Sequence, residues 1–279
     1  METLTSTIIY SSKESELFEG PIFDPTNKLL YFVSILDGLV FCYSPISNEI
    51  LSIKLDSPTS NVYLTESKKV VIVASKNGFF EVNFNGLETS FKFQIDIADN
   101  VRYNDGIQDP IGRLIIGTMG YPDVEEGVGK VYSCNEGNCK VIIDNTTISN
   151  GLSFSHDNRF MYFIDTPTKQ IAKYKYDIET GSVNFVSNVV EFTEKGSPDG
   201  MAIDKNGMLW VAEWGGSCVS QWNPNTGKKI NKIKLPHSNV TSCCFDENEN
   251  LFITAANDPT DNELRGSALY YINLNKSNQ

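Results

Sequence analysis

Short apolar runs separated by turn-forming residues recur along the whole chain. Leu29-Leu-Tyr-Phe-Val, Val70-Val-Ile-Val-Ala, Arg113-Leu-Ile-Ile-Gly, Met161-Tyr-Phe-Ile, Leu209-Trp-Val-Ala and Leu251-Phe-Ile-Thr are the clearest. Turn clusters such as Asp24-Pro-Thr-Asn, Asp109-Pro-Ile-Gly, Asp204-Lys-Asn-Gly and Asp246-Glu-Asn-Glu precede them. Asp, Asn and Gly accept tight-turn geometry or hydrogen-bond their own backbone. No long stretch carries a clean 3.6-residue period, so the pattern predicts strands and little helix.

The runs keep a fixed spacing. A polar residue is followed five positions later by an acidic residue or Ser, and ten positions later by an apolar residue that opens a strand. The copies are Glu19/Asp24/Leu29, Asn61/Glu66/Val71, Asn104/Asp109/Leu114, Asn150/Ser155/Phe160, Asp199/Asp204/Leu209 and Thr241/Asp246/Leu251. First positions are separated by 42, 43, 46, 49 and 42 residues. A four-stranded unit of about 40–45 residues is a propeller blade. Six copies predict an all-β, six-bladed β-propeller with four-stranded blades, one domain over residues 1–279. The alternative, a β-sandwich with accidental spacing, does not account for six aligned positions. Only 38 residues follow Thr241, short of a full blade. The segment from Ser6 to Tyr10 is therefore expected to add the missing outer strand and close the ring.

In a propeller the innermost strands surround a central channel. The first template positions are expected to converge there: Glu19, Asn61, Asn104, Asn150, Asp199 and Thr241. Side chains two apart share a strand face, so Arg102 is expected beside Asn104. Carboxylate and amide oxygens suit hard cations such as calcium, magnesium or manganese. Glu19, Asn150 and Asp199 are the candidate ligands of one such ion; the alternative is that they merely line a wet channel.

Composition narrows the chemistry. Hydrophobic residues make up 40% of the chain and charged ones 21%, enough to bury a large core. The net charge of -12 repels phosphate backbones and favours cations, so no nucleic-acid partner is expected. The N-terminus lacks a basic stretch followed by an apolar one, and no run approaches the ~18 residues of a membrane helix. The expected location is the cytoplasm, with no membrane partner and with the six cysteines reduced. Cys134 and Cys139 flank the turn Asn-Glu-Gly-Asn, where a small disulfide is the alternative. The sequons at Asn145, Asn239 and Asn275 carry no weight without secretion. His156 and His237 are the only histidines and are expected at the surface. A Ser-His-Asp triad or a multi-His metal site is then hard to build.

Several segments together resemble the gluconolactonase, regucalcin-like and luciferin-regenerating-enzyme family of sugar lactonases. They are Glu19-Gly-Pro, Arg102-Tyr-Asn-Asp-Gly-Ile-Gln-Asp-Pro-Ile-Gly-Arg, Gly117-Thr-Met, Ser149-Asn-Gly-Leu-Ser-Phe-Ser, Pro198-Asp-Gly-Met-Ala-Ile-Asp-Lys-Asn-Gly-Met-Leu-Trp-Val-Ala and Lys234-Leu-Pro. The resemblance runs from about residue 16 to residue 272. It implies a six-bladed propeller with one divalent ion, calcium, zinc, magnesium or manganese, on Glu19, Asn150 and Asp199. It implies substrate contacts from Arg102 and Asn104 and hydrolysis of a sugar-acid lactone; Asp199, as both ligand and neighbour of a bound water, is the expected general base. The chain departs from the family after Gly-Thr-Met, where Gly120-Tyr-Pro-Asp replaces a pair of acidic residues. The substrate-contacting position falls on Tyr121 or Pro122, with Glu125 and Glu126 nearby. Ser34 also stands where an Asp is common. Other readings of the same features are a metal-dependent esterase or phosphotriesterase, and a non-catalytic calcium-binding scaffold.

Overall fold

The computed structural model describes residues 6–261 and 264–274. Among these residues it forms six four-stranded antiparallel sheets. Blade 1 runs through Phe18–Asp24, Leu29–Ser34, Leu39–Ser44 and Glu49–Lys54, from the hub outward. Blade 2 comprises Thr59–Leu64, Val70–Ser75, Gly78–Asn83 and Glu88–Phe93; blade 3 comprises Val101–Gln108, Leu114–Gly120, Gly129–Asn135 and Asn138–Thr146. Blade 4 comprises Ser149–Phe154, Phe160–Asp165, Gln170–Asp177 and Ser182–Glu191; blade 5 comprises Ser197–Ile203, Leu209–Trp214, Cys218–Asn223 and Lys228–Lys234. Blade 6 has only Val240–Phe245, Leu251–Ala255 and Ser267–Ile272 from its own stretch, and the N-terminal strand Thr7–Ser12 pairs with Ser267–Ile272 to complete it. The expected six-bladed propeller and its closure are both present. The one helical element described is a single 3-10 turn, Thr166–Thr168. No helix among the described residues is long and apolar enough to cross a membrane.

The apolar runs become second strands because those strands are covered on both faces by neighbouring blades. Every residue of Leu29–Ser34 is buried, whereas nearly all of the outer strand Glu88–Phe93 is exposed. Tyr31, Val33 and Val40 of blade 1 pack on Val62, Val71, Val73 and Val82 of blade 2. The same layering repeats around the ring, and burial of this apolar surface is the main favourable term in folding.

The acidic residues of the template hold the turns. Asp204 Oδ1 accepts from the amides of Asn206 and Met208, at 2.9 and 3.0 Å, while Oδ2 accepts from Trp210 Nε1 and Gln221 Nε2, each at 2.9 Å. Asp24 and Asp246 cap their turns in the same way. Asp109 caps its turn and also pairs with Arg113 Nε at 2.7 Å, with the Tyr176 hydroxyl of blade 4 donating to it at 2.5 Å. These carboxylates, buried in three of the four turns, are structural.

Two expectations need correction. Cys134 and Cys139 form a disulfide, because they face each other across the blade 3 hairpin with 4.1 Å between Cα atoms. The other four cysteines are free. His237 is buried rather than exposed, held by Tyr270 from the third strand of blade 6. His156 is exposed, as expected, its Nε2 2.8 Å from the Asp204 carbonyl oxygen. The sequon at Asn275 lies outside the described residues.

Candidate active site

Each inner strand breaks its ladder near the first template position. The register shifts fall between Glu19 and Ile22, Thr59 and Asn61, Tyr103 and Gly106, Asn150 and Leu152, Pro198 and Met201, and Val240 and Ser242. A bulge bends a strand and re-aims a side chain, and it recurs next to active sites. Glycine follows in four copies, at Gly20, Gly106, Gly151 and Gly200. A Cβ on Gly200 would sit 2.1 Å from Ser242 Oγ, and one on Gly151 would sit 2.6 Å from the Asp199 carbonyl oxygen. The missing side chains let adjacent inner strands close around a narrow hub.

The shifts carry four of the six template residues into one cavity of about 420 Å3. Its floor is Glu19, Arg102, Asn104, Asn150 and Asp199, all buried. The other two go elsewhere. Asn61 faces a second cavity of about 310 Å3 at the opposite end of the channel. Thr241 is spent on packing: its hydroxyl donates to the Phe18 carbonyl at 2.6 Å, tying blade 6 to blade 1.

Hydrogen bonds fix the floor. Arg102 Nη1 donates to Asn104 Oδ1 at 2.7 Å and to the Tyr103 carbonyl at 2.9 Å. Asn104 Nδ2 donates to Asn150 Oδ1 at 2.8 Å and to the Ser149 carbonyl at 2.9 Å. Asn150 Nδ2 donates to Thr166 Oγ1 at 2.8 Å, and the Gly20 amide donates to Glu19 Oε2 at 3.1 Å. Arg102 Nε and Asp199 Oδ1 are buried with no partner. Buried polar groups are nearly always paired, so unpartnered atoms on a cavity floor mark places where a ligand would bond.

The electrostatics are strained. Burial, reinforced by Asp105, raises the Glu19 carboxyl to about 8 despite the Gly20 amide and Arg102. Burial and the charges of Glu19 and Asp105 push Asp199 well above the ordinary carboxylate range. Burial lowers Arg102 to about 10, against the pull of Glu19, so the guanidinium stays charged at neutral pH. Two buried carboxyls beside one guanidinium, with Asp105 adding to the negative field, is an unfavourable arrangement that an added cation would relieve. Glu19 and Asp199 offer carboxylate oxygens, and Asn150 Oδ1 keeps a second lone pair beyond its bond from Asn104. This hard, all-oxygen set fits a divalent cation. Among the described residues no group of three or more His, Cys, Asp or Glu side chains is arranged to hold a metal. The third donor here is an amide.

Asp105 escaped the sequence reading. It lines the opposite cavity, and burial raises it to about 6. Its signal was the glycine. Glu19, Asn150 and Asp199 each immediately precede one, and in blade 3 that place belongs to Asp105, not Asn104. Tyr121 is less central than expected. Its ring centroid lies 6.0 Å from the Arg102 guanidinium carbon, but the ring is not part of the cavity wall. Glu125 and Glu126 are exposed and do not line the cavity; Glu125 Oε1 accepts from Asn100 Nδ2 at 3.2 Å. Ser34 is buried and donates to Asp37.

Residues 17–257 match the SMP-30/Gluconolactonase/LRE-like region. A putative sugar lactone lactonase, YvrE, from Bacillus subtilis is 36% identical over 255 residues, covering 89% of this chain and 86% of its own. Regucalcin from Gallus gallus is 33% identical over 261 residues, covering 90% and 87%. A solved luciferin-regenerating enzyme superposes with a TM-score of 0.88 at 25% identity, covering 96% of this chain and 95% of its own.

Proposed function

The chain belongs to the SMP-30/gluconolactonase/LRE-like family, and from that premise we propose that it hydrolyses a sugar-acid lactone to the open-chain acid, with one divalent metal ion. The observation that carries this reading is the buried floor where Glu19, Asn150 and Asp199 meet beside Arg102 and Asn104, with Asp199 Oδ1 unpartnered. Glu19, Asn150 and Asp199 would hold the ion. When bound, it supplies Lewis-acid polarisation of the lactone carbonyl and lowers the pKa of a bound water.

The side chains do the rest. Asp199 accepts the proton as the water oxygen bonds to the carbonyl carbon, acting as general base. Arg102, charged and carrying an unpartnered Nε–H, offsets the negative charge that gathers in the tetrahedral intermediate. Asn104, held between Arg102 and Asn150, fixes the orientation of both. When the ring C–O bond breaks, the proton on Asp199 passes to the departing ring oxygen, which leaves as a hydroxyl. The open product ionises to a carboxylate.

The test is a pH-indicator assay on glucono-1,5-lactone and pentono-1,4-lactones, with calcium, zinc, magnesium or manganese added. Chelator-sensitive acid release is expected, lost in Asp199→Ala. Full activity of that variant, or of chelator-treated enzyme, contradicts the reading. Aryl phosphotriesters in the same assay separate lactonase from phosphotriesterase chemistry.

A further inference from the structure

The cavity has two unlike parts. Its floor is polar, but the wall above it is mostly carbon. Leu17, Met119, Ile148, Pro167 and Trp214 form a collar drawn from blades 1, 3, 4 and 5 and the segments that lead into them. The collar is a built feature. Leu17 bridges to Ala256 and Met119 bridges to Ile148, so backbone pairing holds these side chains at the rim. Trp214 remains 40% exposed at the end of its strand, whereas Trp210 four residues earlier is 4% exposed.

Polar partners are scarce on this wall. The Thr166 hydroxyl is committed twice, accepting from Asn150 Nδ2 and donating to the Pro198 carbonyl, each at 2.8 Å. Ser197 is the other hydroxyl among the lining residues. Glu125 and Glu126, which the sequence left free to reach in, do not line the cavity. A fully hydroxylated lactone would place its outer hydroxyls against carbon, and a hydroxyl stripped of water without a partner is costly. An alkyl arm in the same place loses nothing and leaves water.

We propose that the preferred substrate is a lactone with a polar head and an apolar arm. The ester carbonyl and an adjacent hydroxyl face Arg102 and Asn104, and a deoxy or alkyl substituent lies against Met119, Ile148 and Trp214. This refines the lactonase reading above and rests on it.

The experiment measures kcat/KM for 2-hydroxy-γ-butyrolactones carrying hydrogen, methyl, propyl or hexyl at the carbon bearing the ring oxygen, alongside ribono-1,4-lactone and glucono-1,5-lactone. The expected gain is about fourfold per added methylene over the first few carbons. At least one alkyl member should exceed both polyhydroxylated lactones by about tenfold or more. Trp214→Ala and Ile148→Thr should each flatten the rise with chain length, a readout that does not depend on their absolute activity. A flat or falling profile in active wild-type enzyme overturns this inference alone. So does a slope that neither variant changes. Failure to turn over any lactone in the panel overturns both this inference and the lactonase reading.

Discussion

Replacing Asp199 with Asn keeps the shape of the side chain and removes its charge. In metal-free protein that exchange should stabilise the fold, by an amount that depends on pH. Burial, together with Glu19 and Asp105, raises the folded-state pKa of Asp199 well above 3.8, its ordinary value. An acid with a raised folded pKa contributes fully below its unfolded pKa, and that contribution is lost as pH rises toward the folded pKa. Wild-type protein therefore gives up as much as ~1.4 kcal/mol per pH unit from this one proton as pH rises from the unfolded toward the folded pKa. For 279 residues the unfolding entropy is about 0.6 kcal/mol/K, so the loss corresponds to about 2 °C per pH unit. Asp199→Asn carries no such proton. Thermal melts of chelator-treated proteins should show equal midpoints near pH 4 and a variant that becomes increasingly more stable than wild type as pH rises above that. A variant less stable than wild type at pH 7, or a gap that does not change with pH, would refute the argument.

The remaining predictions concern the hub and its supports. Gly200→Ala drives a methyl group into Ser242. It should cost about 1–3 kcal/mol, or about 2–5 °C in melting temperature, and lower kcat/KM by displacing Asp199. Asp204→Ala removes the acceptor of four hydrogen bonds, that of the buried Trp210 Nε1–H among them. It should cost about 3 kcal/mol or more while folded enzyme assayed in the cold keeps its kcat, because Asp204 lies in a turn away from the cavity wall. Arg102→Lys keeps the charge but cannot reproduce the paired bonds to Asn104 and the Tyr103 carbonyl. Steady-state kinetics should show a loss of about 10–100-fold in kcat/KM, with metal binding retained in a parallel titration.

Much of the architecture was legible because each blade repeats one turn and one buried strand. Asp24, Asp109, Asp204 and Asp246 mark the turns, and the apolar runs behind them mark strands covered on both faces. The candidate floor residues were legible for the same reason, since Glu19, Asn150 and Asp199 hold one place in the repeat. What escaped depended on departures from strict alternation. Bulges shift the register by a residue or two, and a two-residue period counted along the strand does not register them. Asn61 and Thr241 therefore sat on the template but not in the cavity, and Asp105 was passed over one residue from Asn104. The Cys134–Cys139 bond was outweighed by an argument from cell compartment, although hairpin pairing alone brings the two together. Burial of His237 depends on Tyr270, 33 residues away, and no local pattern reports that contact.

The central claim is that oxygen donors from three blades share one ion at the hub. Calorimetric titration of chelator-stripped protein with calcium, zinc, magnesium and manganese, at pH 6 and pH 8, tests it most directly. With Glu19 at about 8 and Asp199 also raised, binding must displace protons. The account predicts one ion per chain, tighter at pH 8 than at pH 6, and no binding by Asp199→Asn. Wild-type protein that takes up none of the four ions, or a variant that binds as well as wild type, would contradict it.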